Sequence, residues 1–283
     1  MATIQLDTTC SVATTGNPVG LCLTLSSILA GLYVPQYLVI RHEGGAEFSS
    51  FYLEQLIDLA RFRGIEVSID FAQKLGIRAT RTAQLGSCKT EWLWLADDDV
   101  IYDHRFLAYM GRHMVPALDE HPETLCYLCG AKPDINDRAS VIAGFSSRIE
   151  PMSSLSQWDE RANLHWGNPD NLLTIRRPMK YPDTGVMLLH VGNVAARKIA
   201  FMPFEGSDSI SAAPGEDSLF GIQTVARGGQ GFFIPSAQAI HLSKPASRFP
   251  ESVTRAELVL RSAQCLQVPA PITAHFPPGN KLR

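Results

Sequence analysis

The sequence predicts a doubly wound α/β fold on three observations. Short apolar runs that read as buried strands (Cys10 to Thr14, Tyr37 to Ile40, Ile65 to Ile69, Trp92 to Leu95) alternate with segments whose apolar residues recur at helical spacing. Caps and helix breakers fall at the junctions between them. Three consecutive aspartates, Asp97, Asp98 and Asp99, stand directly behind the run Trp92-Leu93-Trp94-Leu95-Ala96. In open α/β sheets ligands bind beyond the carboxyl ends of the strands, which is where this cluster falls.

The first strand ends in Thr14-Thr15-Gly16-Asn17-Pro18. Asn17 is a good N-cap, and Pro18 loses nothing at the first helical position, where its missing N–H would have had no partner. The helix gathers Leu21, Leu25, Ile28, Leu29 and Leu32 on one face, with Pro35 as its stop and Tyr37 to Ile40 as the second strand. Strand, helix, strand in this order implies a right-handed parallel crossover. Ser50 caps a second helix whose apolar face is Leu53, Leu56, Ile57 and Ala60, closed by Gly64; Ile65 to Ile69 is the third strand. A short helix near Ile77 to Leu85 leads to the fourth strand and the aspartates, and His104 to Met114 returns as a helix.

Regularity degrades after Pro116. Residues from about Ala131 to Pro182 are rich in Asp, Asn, Ser, Pro and Trp, the composition of long loops or of an excursion that walls a pocket. Order resumes with a strand at Gly185 to Val191, a short helix through Val194 to Ile199, and two late strands at Phe232 to Ile234 and Ala239 to Leu242. Residues 246–283 read as a C-terminal helix, with Val253, Leu258 and Leu260 in its stripe, and a Pro-rich extended tail.

Bulk properties exclude several classes. With 283 residues, 45% hydrophobic and 19% charged, the chain has globular composition and length for a substantial core. A net charge of −3 gives no global pull toward nucleic acid or anionic lipid. No charged segment followed by an apolar core opens the chain, and six cysteines are widely spread, so free thiols in a reducing cytoplasm are expected. Cys126 and Cys129 have metal-knuckle spacing, but a lone pair inside an apolar run reads as core. Leu21 to Ile40 carries no formal charge, yet Thr24, Ser26, Ser27, Gly31, Pro35 and Gln36 interrupt it, and it divides into a helix and a strand rather than a membrane span.

Three like charges at a strand end raise the cost of ionising one another unless a cation offsets them. Mg²⁺ and Mn²⁺ favour such oxygen ligands. A solvated acidic turn, or a cap for the helix near His104, is the other reading. Gly215-Glu216-Asp217 follows Ala212-Ala213-Pro214 and would start a helix, whose dipole favours negative charge; a simple cap explains it equally well. His241, between apolar residues at a strand end, is either a satisfied core residue or a ligand.

Taken in order, these segments resemble the GT-A fold glycosyltransferases, most closely family 2, which uses nucleotide-diphosphosugars. Ala13-Thr14-Thr15-Gly16-Asn17 and Ser26-Ser27-Ile28-Leu29 match the family's opening turn and first helix in position. Gly76-Ile77-Arg78-Ala79-Thr80-Arg81 is similar to its Gly-x-x-x-Ala-Arg-Asn segment, with Thr82 in place of Asn. Leu95-Ala96-Asp97-Asp98-Asp99 is similar to the DXD signature, and Gly215-Glu216-Asp217 to the Glu-Asp motif that carries the catalytic base. Tyr181-Pro182-Asp183-Thr184-Gly185 precedes the matching late strand.

The resemblance implies one GT-A domain over residues 1–245, with a nucleotide-sugar-binding half at 9–115 and an acceptor half at 116–245. It implies Mn²⁺ or Mg²⁺ held by Asp99, Asp97 and His241, and a donor site that includes Thr14, Thr15, Asn17, Lys74, Arg78, Arg81, Asp97 and Asp98. Asp217 would be the general base of an inverting transfer, tuned by Glu216. One departure stands out: Arg41-His42-Glu43-Gly44-Gly45 replaces the family's Asp-Asp-Gly-Ser, which leaves Glu43 to accept a base N–H and makes a UDP-sugar a default. Trp158, Trp166 and Asp183 are candidates for the acceptor side, where Trp rings either stack on substrate or pack the excursion. Arg161, Arg176, Arg177 and Lys180 line up either with a phosphate-tracking groove or with a solvated face, so a saccharide and a modified DNA base both stay open as acceptors. Two rival classes remain. A nucleotidyltransferase shares the topology but would need a Gly-rich loop after the first strand; a catalytically silent sugar-nucleotide-binding module would need no paired carboxylates at two sites.

Overall fold

The computed structural model describes residues 4–44, 50–73, 76–132, 150–151, 183–192, 220 and 229–242. A nine-stranded mixed sheet organises them. Its strands are β1 (Ile4–Thr14), β2 (Tyr33–His42), β3 (Glu66–Phe71), β4 (Trp92–Asp97), β5 (Val100–Tyr102), β6 (Leu125–Ala131), β7 (Glu150–Pro151), β8 (Met187–His190) and β9 (Gln230–His241). The order across the sheet is β3-β2-β1-β4-β8-β6-β9-β5, with β7 on β9. Strands β1 to β4 are mutually parallel; β8 runs antiparallel between β4 and β6, and β6 is parallel to β9.

Helices α1 (Pro18–Leu29) and α2 (Phe51–Phe62) are the crossovers from β1 to β2 and from β2 to β3, and right-handed connections place them side by side on one face. Helix α3 (Ile77–Gly86) returns from the edge strand to the centre, so the same rule puts it on the opposite face, where Gln84 Nε2 donates to the Ser11 carbonyl at 2.8 Å. Helix α4 (Phe106–Glu120) covers β6 and β9, stacking Phe106 on Trp94 with ring centroids 5.2 Å apart. Burial of Leu21, Leu25, Leu38, Ile40, Trp94 and Met110 forms the centre of the core. The uncharged stretch at Leu21 to Ile40 is shared between α1 and β2, and no helix among the described residues is long and apolar enough to cross a membrane.

Four details differ from the sequence reading. Helix α1 ends at Leu29, and Pro35 lies inside β2. Its missing N–H is tolerated because it falls beside an irregularity in the β1 pairing, between Leu6 and Thr9, and before β3 begins to pair at Tyr37. Pro116 sits within α4 and does not end it. The run at Leu125–Ala131 is a fully buried strand, with Cys126 and Cys129 in the core. The two late strand signals are one strand, β9, which bulges between Phe233 and Gln238 opposite Cys129 and Ala131. The bulge lets β9 leave β6 and pair through Ala239–His241 with β5.

Candidate functional site

The carboxyl ends of β1, β2 and β4 converge on the Asp97–Asp99 turn. Helix α1 fixes this turn from below. Thr24 Oγ1 donates to the Asp97 carbonyl at 3.3 Å and accepts the Val100 N–H at 3.2 Å. Asn17 caps α1 by accepting the Gly20 N–H at 3.2 Å, and its amide donates to the Asp98 carbonyl at 3.4 Å. Gly16, with φ of 99°, makes the preceding bend in a region where a side chain would strain the backbone. Thr15 is exposed in that bend.

Gly20 is the contact point between helix and turn, since an added Cβ would run into the Asp98 carbonyl oxygen and the Asn17 amide. Backbone cannot swing aside as a side-chain end can. Gly20→Ala is therefore expected to lower stability by about 1–3 kcal/mol in urea denaturation, as for other overpacked sites. A denaturation midpoint equal to wild type would show that the turn does not rest on α1.

The three aspartates have three different partners. Asp97 is joined to Arg81 Nη2 through Oδ1 at 2.5 Å and to Lys132 Nζ through Oδ2 at 3.5 Å. Burial by itself pushes this carboxyl up. The charges of Arg81, Lys132 and His241, with the Arg81 hydrogen bond, outweigh burial and hold it well below the usual carboxylate range. Asp98 is buried and accepts from Thr14 Oγ1 at 2.6 Å. Asp99 faces His241, with Oδ2 and Nε2 3.5 Å apart. Strand pairing makes that last contact: Val100 is registered opposite His241, and the Leu242 N–H donates to the Asp99 carbonyl at 2.8 Å.

Arg81 is 1% exposed, and its two terminal nitrogens donate also to Gln84 Oε1 at 3.0 Å and Thr184 Oγ1 at 2.8 Å. Glu43, at the end of β2, is buried at 3% exposure. Its Oε1 takes the Arg41 Nε–H at 2.8 Å and its Oε2 the Thr80 hydroxyl at 2.6 Å. Asp183 opens a 3₁₀ turn (Thr184–Val186) by accepting the Gly185 N–H at 3.0 Å, and pairs with Lys132 Nζ at 2.7 Å.

The structure thus gathers Thr14, Asn17, Glu43, Arg81, Asp97, Asp98, Asp99, Asp183 and His241 around one end of the sheet. Arg78 lies in the first turn of α3, its side chain outside the described residues. Lys74, Trp158, Trp166, Glu216 and Asp217 also lie outside them. Sequence reasoning passed over Lys132, Thr24, Thr80 as a partner of Glu43, and Tyr102, whose hydroxyl donates to the Gly185 carbonyl at 2.6 Å. Lys132 had a signal: a lone cation directly after an apolar strand, the mirror image of the aspartates after β4.

Among the described residues no group of three or more His, Cys, Asp and Glu side chains is arranged to hold a metal ion. The Asp99–His241 pair is a two-donor arrangement. Donors 3.5 Å apart can both reach one divalent ion at bond lengths of about 2.1 Å, and a carboxylate with an imidazole suits Mn²⁺. The residues fit a cation whose remaining positions are filled by substrate and water.

No family model matches this chain, and no curated protein matches it by sequence. Solved structures do share its fold. Residues 1–349 of TarS from S. aureus in complex with UDP-GlcNAc superpose with a TM-score of 0.58 at 14% identity, covering 96% of this chain and 69% of that one. GalNAc-T7 with UDP, GalNAc and Mn²⁺ gives 0.57 at 10% identity, over 93% of this chain and 48% of the other. The mannosyltransferase PcManGT from Pyrobaculum calidifontis, in complex with GDP-Man and Mn²⁺, gives 0.59 at 10%, over 95% and 67%. At these identities the likeness is one of fold, and the fold of this chain is that of the GT-A glycosyltransferases.

Proposed function

We propose that this protein transfers a sugar from a nucleotide-diphosphosugar, a UDP-sugar in the first instance, to a hydroxyl acceptor with the help of Mn²⁺ or Mg²⁺. The pairing of Asp99 with His241 supports this reading most directly. Two residues far apart in sequence are drawn to 3.5 Å by the β5–β9 ladder, at the strand end where open sheets bind ligands. In a GT-A fold that is where a sugar nucleotide's diphosphate would lie, with residues 9–115 forming the donor half and 116–245 the acceptor half.

Asp99 and His241 would hold the cation, which when bound supplies Lewis-acid stabilisation of the charge developing on the leaving diphosphate. Asp98, its carboxylate fixed by Thr14, would face the ribose or the donor sugar. Glu43, held by Arg41 and Thr80, retains lone-pair capacity on both oxygens and would accept the base N–H. Arg81 would act on the donor through Asp97, because its guanidinium is buried against that carboxylate. Asp217 would take the acceptor's proton, with the neighbouring charge of Glu216 raising its proton affinity. A single displacement with such a base inverts the anomeric centre. Trp158 and Trp166 would offer ring faces to the acceptor.

A thermal-shift screen of UDP- and GDP-sugars with and without Mn²⁺, followed by labelled-sugar transfer to saccharide and modified-DNA pools, tests the reading. A UDP-sugar should raise Tm in the presence of Mn²⁺ only. Asp99→Asn and His241→Ala should each weaken Mn²⁺ binding by at least the ~10–100-fold that loss of a supporting group costs at other metal sites. Donor binding that ignores the metal, with both variants behaving as wild type, would rule the site out.

A further inference from the structure

Among the described residues, Lys132 joins the acidic turn to the 3₁₀ turn before β8 through charge. It follows β6 directly, is 10% exposed at its side chain, and places Nζ 2.7 Å from Asp183 Oδ1 and 3.5 Å from Asp97 Oδ2. Asp183 stands where the described chain resumes before β8, so Lys132 and Asp183 are the two ends from which residues 133–182 leave and return, leaving aside the short β7. The packing makes room for this bridge. At Gly185 an added Cβ would lie 2.6 Å from both Asp97 Oδ2 and Lys132 Nζ. With Arg81 on Oδ1 and Lys132 at Oδ2, both oxygens of Asp97 face a cation of the protein itself.

We propose that Lys132 is a positioning residue of the cation site: by bridging Asp97 and Asp183 it keeps the first carboxylate of the acidic turn engaged, so that Asp99 and His241 bind the metal without it. This rests on the metal-dependent reading above and goes beyond it in dividing the labour among the aspartates. Among the described residues, Asp97 and Asp183 are set against Arg81 and Lys132 beside the metal pair. Removing Lys132 takes one positive charge from beside the ion and lets Asp97 Oδ2 turn toward it.

The test is a Mn²⁺ titration of the full chain, followed by the electron paramagnetic resonance signal of the free aqua ion, with circular dichroism to confirm folding. Lys132→Met should bind Mn²⁺ about 3–10-fold more tightly than wild type, the scale of one unit charge acting through water-like screening. Lys132→Arg should restore wild-type affinity, and adding Asp97→Asn to Lys132→Met should abolish the gain. A purely structural lysine would give no gain in affinity on removal. Should Lys132→Met fail to fold, Gly185→Ala separates the same two groups at their flexible ends, and a rise of about 2–3-fold is expected from it. Unchanged or weaker Mn²⁺ binding in the folded variant, or a gain that survives Asp97→Asn, overturns the proposal while leaving wild-type binding and the functional reading intact. A wild-type chain that binds no Mn²⁺ overturns both.

Discussion

Asp217→Asn is expected to keep the donor and lose transfer, by about 10²–10⁴-fold in kcat. The substitution is nearly isosteric and removes only the capacity to take a proton. On the proposed mechanism the acceptor hydroxyl must give up that proton as it attacks the anomeric carbon, and an amide cannot receive it. On the same proposal donor binding would depend on other groups: the Asp99–His241 pair, Asp98 braced by Thr14, and Glu43 braced by Arg41 and Thr80. The Mn²⁺-dependent thermal shift with UDP-sugar should therefore match wild type within experimental scatter, while labelled-sugar transfer falls toward background. A variant that turns over like wild type would remove Asp217 from the mechanism. One that loses the thermal shift as well would make it part of the donor site.

Much of the fold over residues 4–132 is legible in the sequence because its signals are local. Asn17-Pro18 caps α1, Ser50 caps α2 through a 3.2 Å bond to the Leu53 N–H, and the apolar spacing in each helix matches the face it buries, save Leu32, which lies beyond the end of α1 and is exposed. Illegible features share a non-local cause. Pro35 can sit in β2 because β1 is irregular beside it and β3 does not pair until Tyr37, neither of which β2 reveals. The single long β9 depends on a bulge opposite β6 that reads as an interruption. The same holds at the site. Three adjacent aspartates announce a concentration of charge, but their division of partners is set by what the sheet brings alongside: α3 for Asp97, β1 for Asp98, β9 for Asp99. Lys132 carries a local signal, a cation directly after an apolar strand, but its partners are set by what the fold brings alongside: Asp97 at the end of β4 and Asp183 at the turn before β8.

Arg81→Met should cost the fold about 3–5 kcal/mol near pH 7, the range for removing one member of a buried ion pair. Asp97 keeps a 24% exposed side chain, which places the expectation at the lower end of that range. The loss comes from the groups left behind: a carboxylate with Lys132 as its remaining nearby ion pair, and Gln84 and Thr184 each without a bond they had. Acid should reveal the mechanism. In wild type the Asp97 carboxyl lies below its unfolded value, so its contribution is complete above the unfolded-chain pKa of about 3.9 and fades as pH falls further. Without Arg81 its charge and hydrogen bond no longer hold the carboxyl down, and it moves upward toward or past the unfolded value while Lys132 and His241 still lower it. The folded variant then binds a proton more readily than folded wild type, so it loses less stability than wild type as pH falls toward about 4. Urea denaturation of both proteins near pH 7 and near pH 4 should show a deficit that shrinks in acid. A deficit of the same size at both values would mean that Arg81 supports the fold by packing alone, with Asp97 indifferent to its charge.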